Sequence, residues 1–231
     1  MKKRLVVLSG AGISAESGIA TFRDANGLWE NFRFEEVATP EAWKRNPELV
    51  QRFYNERRKQ VLECEPNPAH TFFADLEKEY DVVIVTQNID DLHERGGSTN
   101  IVHLHGEIRK SKSSGPNQEK AYYPIENWEL KMTDVCPDGF VLRPHVVWFG
   151  EEVPLLEKAA YLVSEADILV VIGTSLNVYP AANLVDFAPK KCQCFVIDPK
   201  VGELRVPYGF TKIPATAVEG VRKLDELLNR Q

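Results

Sequence analysis

The chain is 231 residues long, and 43% of its residues are hydrophobic and 27% charged, which is typical of a folded protein with a sizeable core. Its formal net charge of −6 argues against sequence-independent nucleic-acid binding, because that requires a basic surface. We therefore expect no nucleic-acid partner, although basic residues are dense at Lys44, Arg45, Arg52, Arg57, Arg58 and Lys59.

Neither a membrane segment nor a disulfide framework is predicted. No apolar run approaches the roughly 18 residues of a membrane span, and Leu5–Leu8 is too short for the core of a secretory signal. The four cysteines, Cys64, Cys136, Cys192 and Cys194, form no recognisable disulfide pattern. We expect a cytoplasmic protein without a membrane partner, and the sequence does not predict its oligomeric state.

Short apolar runs separated by helical patterns predict the fold class. The apolar runs are typical of buried parallel strands. Helical periodicity occurs at Leu155–Val163 and Val218–Asn229. This alternation predicts an α/β fold with a doubly wound, mostly parallel, Rossmann-like sheet. The predicted strands are Leu5–Leu8, Val82–Thr86, Ile101–Leu104, Ile168–Gly173 and Cys194–Ile197.

Two stretches interrupt the alternation and predict a second, smaller domain inserted into the first. Residues 30–65 read as helices rich in aromatic and charged side chains, and residues 109–143 are polar and contain turn signals. The Rossmann-like domain would then comprise residues 1–29, 66–108 and 144–231. A cleft between two domains is a common location for a ligand site.

A glycine-rich turn directly follows the first predicted strand. Gly10, Gly12 and Ala15 fit the G-x-G-x-x-G/A pattern, which predicts a tight turn, close approach of a pyrophosphate and a following helix N-terminus. Ser14 could add a hydroxyl donor, and the alternative is a turn that binds nothing. A dehydrogenase would continue into a second strand ending in an acidic residue, whereas this chain continues into the loop-like residues 22–29. We therefore expect a dinucleotide, but not hydride transfer.

Several motifs, in order, resemble the sirtuin family, and the resemblance covers nearly the whole chain. They are Gly10–Ile19 with Thr21-Phe22-Arg23, Thr86–Asp90, Leu104-His105-Gly106, Arg143–Glu151 and Gly173-Thr174-Ser175. The resemblance implies an NAD-dependent protein-lysine deacylase. In that reaction the acyl oxygen of an acyl-lysine attacks the anomeric carbon of the nicotinamide ribose, nicotinamide leaves, and the acyl group ends on ADP-ribose.

The resemblance implies that His105 is the catalytic base, with Asn88 and Asp90 at the nicotinamide half of NAD. A histidine, with an ordinary pKa near about 6.5, can accept a hydroxyl proton at neutral pH. His103 would point the same way along a strand, so the residues alone do not choose between the two histidines.

The resemblance also assigns the remaining NAD contacts. Phe22 and Arg23 would cover the nicotinamide pocket, Gly173-Thr174-Ser175 would face the ribose, and Asp198 and Ala215 would lie near the adenosine. Alternatives are a helix cap at residues 87–90, a plain turn at 173–175 and an ordinary core role for Phe22. The full cofactor-binding set is Gly10, Ala11, Gly12, Ser14, Glu16, Phe22, Arg23, Trp29, Gln87, Asn88, Ile89, Asp90, Gly173, Thr174, Ser175, Asp198 and Ala215.

The implied substrate is an acyl-lysine protein or peptide. Val147, Trp148 and Phe149 resemble the stretch that pairs with substrate backbone and lines the acyl-lysine tunnel, and a buried strand is the alternative. Tyr54 and Arg57 share a helix face and resemble the Tyr-x-x-Arg signature of sirtuins that remove succinyl and malonyl groups. A guanidinium is the natural partner for an acyl carboxylate. The alternative is a surface arginine beside a core tyrosine.

The four cysteines that hold zinc in most sirtuins are not matched. Lys112-Ser113-Ser114 stands where the first pair should be, and Cys136 is the one cysteine of that region, so we expect no zinc. The segment would be held by packing of Tyr122, Tyr123, Trp128 and Phe140. Three other functions remain open: a mono-ADP-ribosyltransferase, a non-catalytic NAD or ADP-ribose-binding module and, least favoured, a dehydrogenase.

Overall fold

The structure is a computed structural model that describes residues 2–20, 28–29 and 32–229. Its strands are β1 (Arg4–Ser9), β2 (Leu28–Trp29), β3 (Phe32–Arg33), β4 (Asp81–Thr86), β5 (Ile101–His103), β6 (Gly106–Ser113), β7 (Tyr122–Pro124), β8 (Leu142–Val146), β9 (Ile168–Ile172), β10 (Gln193–Ile197) and β11 (Thr211–Ile213). Its α-helices are α1 (Phe34–Val37), α2 (Pro40–Arg45), α3 (Pro47–Glu63), α4 (Pro68–Leu76), α5 (Leu92–Arg95), α6 (Leu156–Ser164) and α7 (Ala217–Leu228).

A six-stranded sheet forms the larger part of the molecule, in the order β11-β10-β9-β1-β4-β5, with every pairing parallel. From β1 the chain passes to β4 on one side and later to β9 on the other. The sheet therefore has a topological switch point, where ligand crevices form in open α/β sheets. The predicted α/β, Rossmann-like fold is confirmed, and the five predicted strands match within one residue at each end.

Two apolar layers cover this sheet because alternate residues of each strand point to opposite faces. Leu5 and Val7 of β1 pack with α4 and α7, whereas Val6 and Leu8 pack with α6 and a 3-10 helix at Ala181–Phe187. Both faces are thus buried, as a parallel sheet requires. Within the described ranges, no helix has the length and apolar character needed to cross a membrane.

A smaller antiparallel sheet, in the order β7-β6-β8, forms a second layer of structure. Strands β6 and β8 straddle the predicted boundaries at residues 108/109 and 143/144, so the chain passes between the two parts within continuous strands. Helices α2 and α3 fall within residues 30–65. The division into two domains with those limits stays a prediction.

The helix expected after the glycine-rich turn is not an α-helix. The described residues there form two single-turn 3-10 helices, Ala11–Ile13 and Ala15–Ser17, and Gly18 ends the second with a positive φ of 95°. The turn is tightened because backbone N–H groups bond three residues back, from Ile13 to Gly10 and from Ser14 to Ala11. The dipole of a long α-helix therefore contributes nothing to an anion site here.

The small sheet is packed differently from the expectation. Its buried cluster consists of Ile125, Leu130, Cys136 and Leu142, with Tyr123 partly buried against it. The other three aromatic residues proposed for this role are exposed on the surface. They are Tyr122, Trp128 and Phe140.

Candidate active site

The carboxyl ends of three neighbouring strands, β9, β1 and β4, bring several of the predicted cofactor-binding segments together. Gly12 donates its backbone N–H to the Gly173 carbonyl at 2.8 Å, which joins the ends of β1 and β9. Gln87, after β4, donates from Nε2 to Thr174 Oγ1 at 3.0 Å. Three segments that are distant in sequence thus meet at one edge of the sheet, as expected for an open α/β fold.

The glycines of this turn permit close approach between two backbone segments. A Cβ on Gly12 would lie 2.7 Å from Gly173 Cα, and one on Gly10 would lie 2.8 Å from Thr174 Cβ. Gly173 has a positive φ of 64°, which a residue with a side chain rarely adopts. These glycines are predicted to permit the approach of a pyrophosphate, and in the structure they permit close contact with the residues that follow β9.

Four consecutive carbonyl groups, those of the last residue of β4 and of the three residues that follow it (86–89), all accept hydrogen bonds from residues 103–108. Two of the donors are backbone N–H groups and two are histidine rings. This arrangement fixes the loop that carries Asn88 and Asp90 against the segment that carries His105. The pairs are Leu104 N to Thr86 O at 2.9 Å, His105 Nδ1 to Gln87 O at 3.1 Å, His103 Nδ1 to Asn88 O at 2.9 Å, and Ile108 N to Ile89 O at 2.7 Å.

The bond to Gln87 determines the chemistry of His105. A carbonyl oxygen can only accept, so Nδ1 carries the proton and Nε2 of the neutral ring keeps its lone pair. Burial lowers the pKa of His105, and the hydrogen bond to Gln87 opposes that shift. The ring is therefore neutral at pH 7 and can accept a proton at Nε2.

Ser14 is a hydrogen-bonding centre beneath this loop. Its hydroxyl donates to Asp90 Oδ2 at 3.1 Å and accepts from Asn88 Nδ2 at 3.1 Å. The proton is thus directed to a protein carboxylate, which differs from the expected donor to a pyrophosphate. Burial raises the pKa of Asp90, while bonds from Leu92 and Ser14 oppose that rise.

Two buried histidines that the sequence did not single out support the same region. His70 accepts from the Asn67 backbone N–H through Nδ1, so its Nε2–H faces Ser14 Oγ at 3.3 Å. His93 Nε2 lies 3.0 Å from Ser9 Oγ, and burial lowers its pKa well below the ordinary value. The spacing of Asn67 and His70 as a helix-capping pair at α4 could have drawn attention to His70.

The model of the Sir2 family matches residues 10–180, which is most of the chain. The chain belongs to the Sir2 family, the sirtuins. A protein of Bacteroides thetaiotaomicron named NAD-dependent protein deacylase is 52% identical over 230 residues, covering 98% of both chains. A Helicobacter pylori protein of the same name is 52% identical, covering 96% of this chain and 94% of its own.

Solved structures of Sir2 homologues share the fold. A Sir2 homologue described as an NAD complex has a TM-score of 0.86 and 37% identity, covering 99% of this chain and 90% of the other. A Sir2 homologue described as an ADP-ribose complex has a TM-score of 0.84 at 37% identity, covering 100% of this chain and 95% of the other.

Other residues of the predicted cofactor set occupy varied positions in this Sir2 chain. The Glu16 carboxylate accepts from the Val218 backbone N–H at 2.9 Å, so it ties the glycine-rich segment to the start of α7. Ala215 is buried in the core, and Asp198 Oδ1 accepts from the Lys200 backbone N–H. Ala11, Ile89 and Ser175 are intermediate in exposure.

Three members of the cofactor set cannot be placed in the same detail. Phe22 and Arg23 lie outside the described residues, and Trp29 is described only as part of the short strand β2, paired with β3. Their contacts with NAD remain predictions.

Two of the predicted acyl-binding residues, Tyr54 and Trp148, belong to one buried apolar cluster of the Sir2 fold. Tyr54 is completely buried, and its hydroxyl accepts from Trp148 Nε1 at 3.1 Å. Burial raises the pKa of Tyr54, while the bond from Trp148 and the charge of Arg57 oppose the rise, so the hydroxyl is neutral. Arg57 is itself buried, which excludes the alternative of a surface arginine.

Residues 147–149 do not form a strand, because β8 ends at Val146. Val147 donates its N–H to the His105 carbonyl at 2.9 Å, and Phe149 donates to Ala38. Trp148 is buried, whereas Phe149 is exposed. The alternative of a buried strand is therefore wrong, and these backbone N–H groups are already bonded within the chain.

Arg143 and Glu151 support Trp148 and were noted only as the ends of a family motif. The Arg143 guanidinium lies 3.4 Å from the centre of the Trp148 ring, and it bonds both Glu151 oxygens at 2.7 and 3.0 Å. Glu151 also accepts from the Trp148 backbone N–H. Both terminal nitrogens of Arg143 are thus bonded to Glu151 within the chain.

Proposed function

We propose that this chain is an NAD-dependent protein-lysine deacylase that releases nicotinamide and 2′-O-acyl-ADP-ribose. The observation that carries this proposal is His105, a neutral histidine whose Nδ1 is bonded to the Gln87 carbonyl and whose Nε2 is left with a lone pair beside the loop 87–90. The names of the relatives, NAD-dependent protein deacylase at about half identity over almost the whole chain, support it.

Different residues of the site would have different roles in this reaction. NAD supplies an electrophilic ribose carbon and nicotinamide as the leaving group. His105 Nε2 would accept a ribose hydroxyl proton, which raises the nucleophilicity of that oxygen. Asn88 and Asp90, held by Ser14, would orient the nicotinamide carboxamide. The segments Gly10–Ser14 and Gly173–Ser175 would hold the phosphates and ribose.

A product assay tests the proposal. The protein is incubated with NAD and acetyl-, succinyl- or malonyl-lysine peptides, and nicotinamide and acyl-ADP-ribose are identified by mass. His105→Ala should lose at least about 100-fold in rate, the usual effect of removing a general base. Tyr208→Phe, at a fully exposed residue, is the control and should behave as the original protein.

The same assay separates the other functions. ADP-ribose label transferred to protein would indicate a mono-ADP-ribosyltransferase, and binding without release of nicotinamide would indicate a non-catalytic module. Full deacylation by a folded His105→Ala protein would remove the proposed base.

We further propose that the enzyme accepts acidic acyl groups such as succinyl and malonyl. Support comes from the buried pair Tyr54 and Arg57, which share a face of α3 beside Trp148. A carboxylate entering a desolvated pocket needs a charged partner and hydrogen-bond donors, which a guanidinium and a phenol supply.

Arg57→Met tests this preference, because it keeps an unbranched apolar side chain and removes the charge. Desuccinylation should fall by about 10- to 100-fold relative to deacetylation, as expected for losing a charge-assisted hydrogen bond. Arg52→Met, at an exposed position of the same helix, is the matched control. Equal losses on both substrates would contradict the proposal.

We also propose that the chain lacks the zinc site of most sirtuins and acts in the cytoplasm on acyl-lysine proteins, without nucleic-acid partners. Cys136 belongs to the small-sheet cluster, whereas Cys192 and Cys194 pack against the large sheet. In the part of the chain that the structure describes, the one group of three or more potential metal ligands contains no cysteine: Glu94, His103 and Glu107.

A further inference from the structure

His103 makes two hydrogen bonds, both to acceptor atoms, that a neutral ring cannot make at the same time. Its Nδ1 lies 2.9 Å from the Asn88 carbonyl oxygen, and its Nε2 lies 2.7 Å from Glu94 Oε1. The His103 side chain is only 8% exposed, so its ring has little access to water, whereas the Glu94 side chain is 40% exposed. The carbonyl accepts but never donates, and an ionised carboxylate likewise only accepts.

A neutral imidazole has one N–H, so it can donate to one of these oxygens only. Both bonds are made together only when the ring carries two protons and a positive charge. We propose that His103 is a buried imidazolium paired with Glu94, and that it is a positioning residue for the loop that carries Asn88 and Asp90. Its effect on catalysis rests on the proposed function, whereas its charge does not.

The charges around His103 favour the protonated ring. Glu94 lies on α5 and Glu107 on β6. One carboxylate oxygen of each lies within 4.8 Å of a ring nitrogen of His103 and of the other oxygen. Lys110 neutralises part of this negative charge, because its Nζ lies 2.8 Å from Glu107. Among the described residues, His93, which is neutral, and Asp90 also interact with the charge of His103.

The shifts of the two pKa values agree with an ion pair. Burial by itself lowers the pKa of His103, but the hydrogen bond and charge of Glu94 outweigh burial and raise it above the ordinary value. Burial likewise works against ionisation of Glu94, and the bond to His103 lowers the pKa of Glu94 overall. Both shifts favour the ion pair, and the pair is lost when His103 gives up its proton as pH rises through its raised pKa.

The pair acts on the active site through the Asn88 carbonyl. Asn88 also donates from Nδ2 to Ser14 Oγ, which in turn donates to Asp90. Loss of one His103 proton must break either the bond to Asn88 or the bond to Glu94. The loop at residues 87–90 should therefore loosen as pH rises through the pKa of His103, and NAD should bind less well.

Nuclear magnetic resonance of the imidazole nitrogens tests the charge directly, without substrate. In the full-length protein, the His103 signals, assigned by their loss in His103→Phe, should show both nitrogens protonated at pH 7. The midpoint of titration should lie above about 6.5, the ordinary histidine value. A neutral ring at pH 7, or a metal ion bound at Nε2 after purification, would overturn the proposal.

Glu94→Gln tests the positioning role while keeping the geometry. A glutamine amide can donate to Nε2 of a neutral His103, which leaves Nδ1–H for Asn88. In the original protein, kcat/KM for NAD should fall about tenfold as pH rises through the pKa of His103. This alkaline limb of the pH profile corresponds to the free energy of one hydrogen bond. Glu94→Gln should stay within about threefold of the original at pH 7 and should lack that limb.

An unchanged alkaline limb in Glu94→Gln would overturn the positioning role even if the imidazolium is found. His103→Phe should raise the KM for NAD more than it lowers kcat, because it releases a binding loop rather than a reacting group. If no deacylase activity exists at all, the proposed function fails while the resonance measurement still decides the charge of His103.

Discussion

At the scale of single residues, the contacts of each ring decide what a histidine can do. Burial lowers the pKa of His70 and of His145 to about 4, and it also lowers those of His93 and His105, whereas Glu94 raises that of His103. Sequence spacing alone does not show which of His103 and His105 is the base. Their partners, Asn88 with Glu94 and Gln87, come from other parts of the chain, so only the fold distinguishes a charged ring from a neutral base.

The lowered pKa of His105 predicts how activity depends on acid pH. A base works only when unprotonated, so kcat/KM should persist as pH falls through about 6.5, the ordinary histidine value, and decline only below it. Nicotinamide release measured from pH 5 to 9 checks this. The acid limb should stay in place in Glu94→Gln, since that substitution acts on His103. An acid midpoint above the ordinary value would contradict the assignment of His105 as the base.

At the scale of elements, five strands of the large sheet were predictable, whereas its short edge strand β11 and the strands of the small sheet were not. The five are largely buried and therefore read as continuous apolar runs, whereas two of the three residues of β11 are exposed. Strand β6, Gly106–Ser113, instead buries the polar residues Ser111, Lys112 and Ser113. Its sequence therefore lacks the alternation of apolar and polar residues that would predict a strand. Lys112 is buried because it pairs with Glu119 at 2.6 Å, a contact that depends on the folded turn.

The glycine-rich turn predicts a local stability effect. Gly12→Ala should destabilise the protein by about 1–3 kcal/mol, because the added methyl would lie 2.7 Å from Gly173 Cα and force the two segments apart. Gly202→Ala is the matched control, since it has open space around its Cβ position and should change stability little. Urea unfolding followed by circular dichroism measures both. Equal stability of the two variants would show that the turn can relax without cost.

At the scale of the whole molecule, helix α3 is joined to the small-sheet segment by two buried polar side chains, those of Arg58 and Asn55. Arg58 of α3 donates to the Ile108 carbonyl at 2.6 Å and to the Trp128 carbonyl at 2.8 Å. Asn55, on the same helix, bonds the Leu130 backbone in both directions. The alternation of apolar runs and helical patterns predicted the fold, and the family resemblance predicted the site segments. These long-range hydrogen bonds have no local signal in the sequence.

These supports, with the small cluster of Ile125, Leu130, Cys136 and Leu142, lead us to expect a small sheet that is stable without metal. Purified protein should contain less than stoichiometric zinc, and a chelator should leave its Tm unchanged. Leu130→Ala should cost about 2–3 kcal/mol, near the low end for a buried leucine, because the cluster is small. Val135→Ala, at a half-exposed site of the same segment, is the control and should cost much less. A large fall in Tm on chelation would mean that a metal, rather than this cluster, holds the segment together.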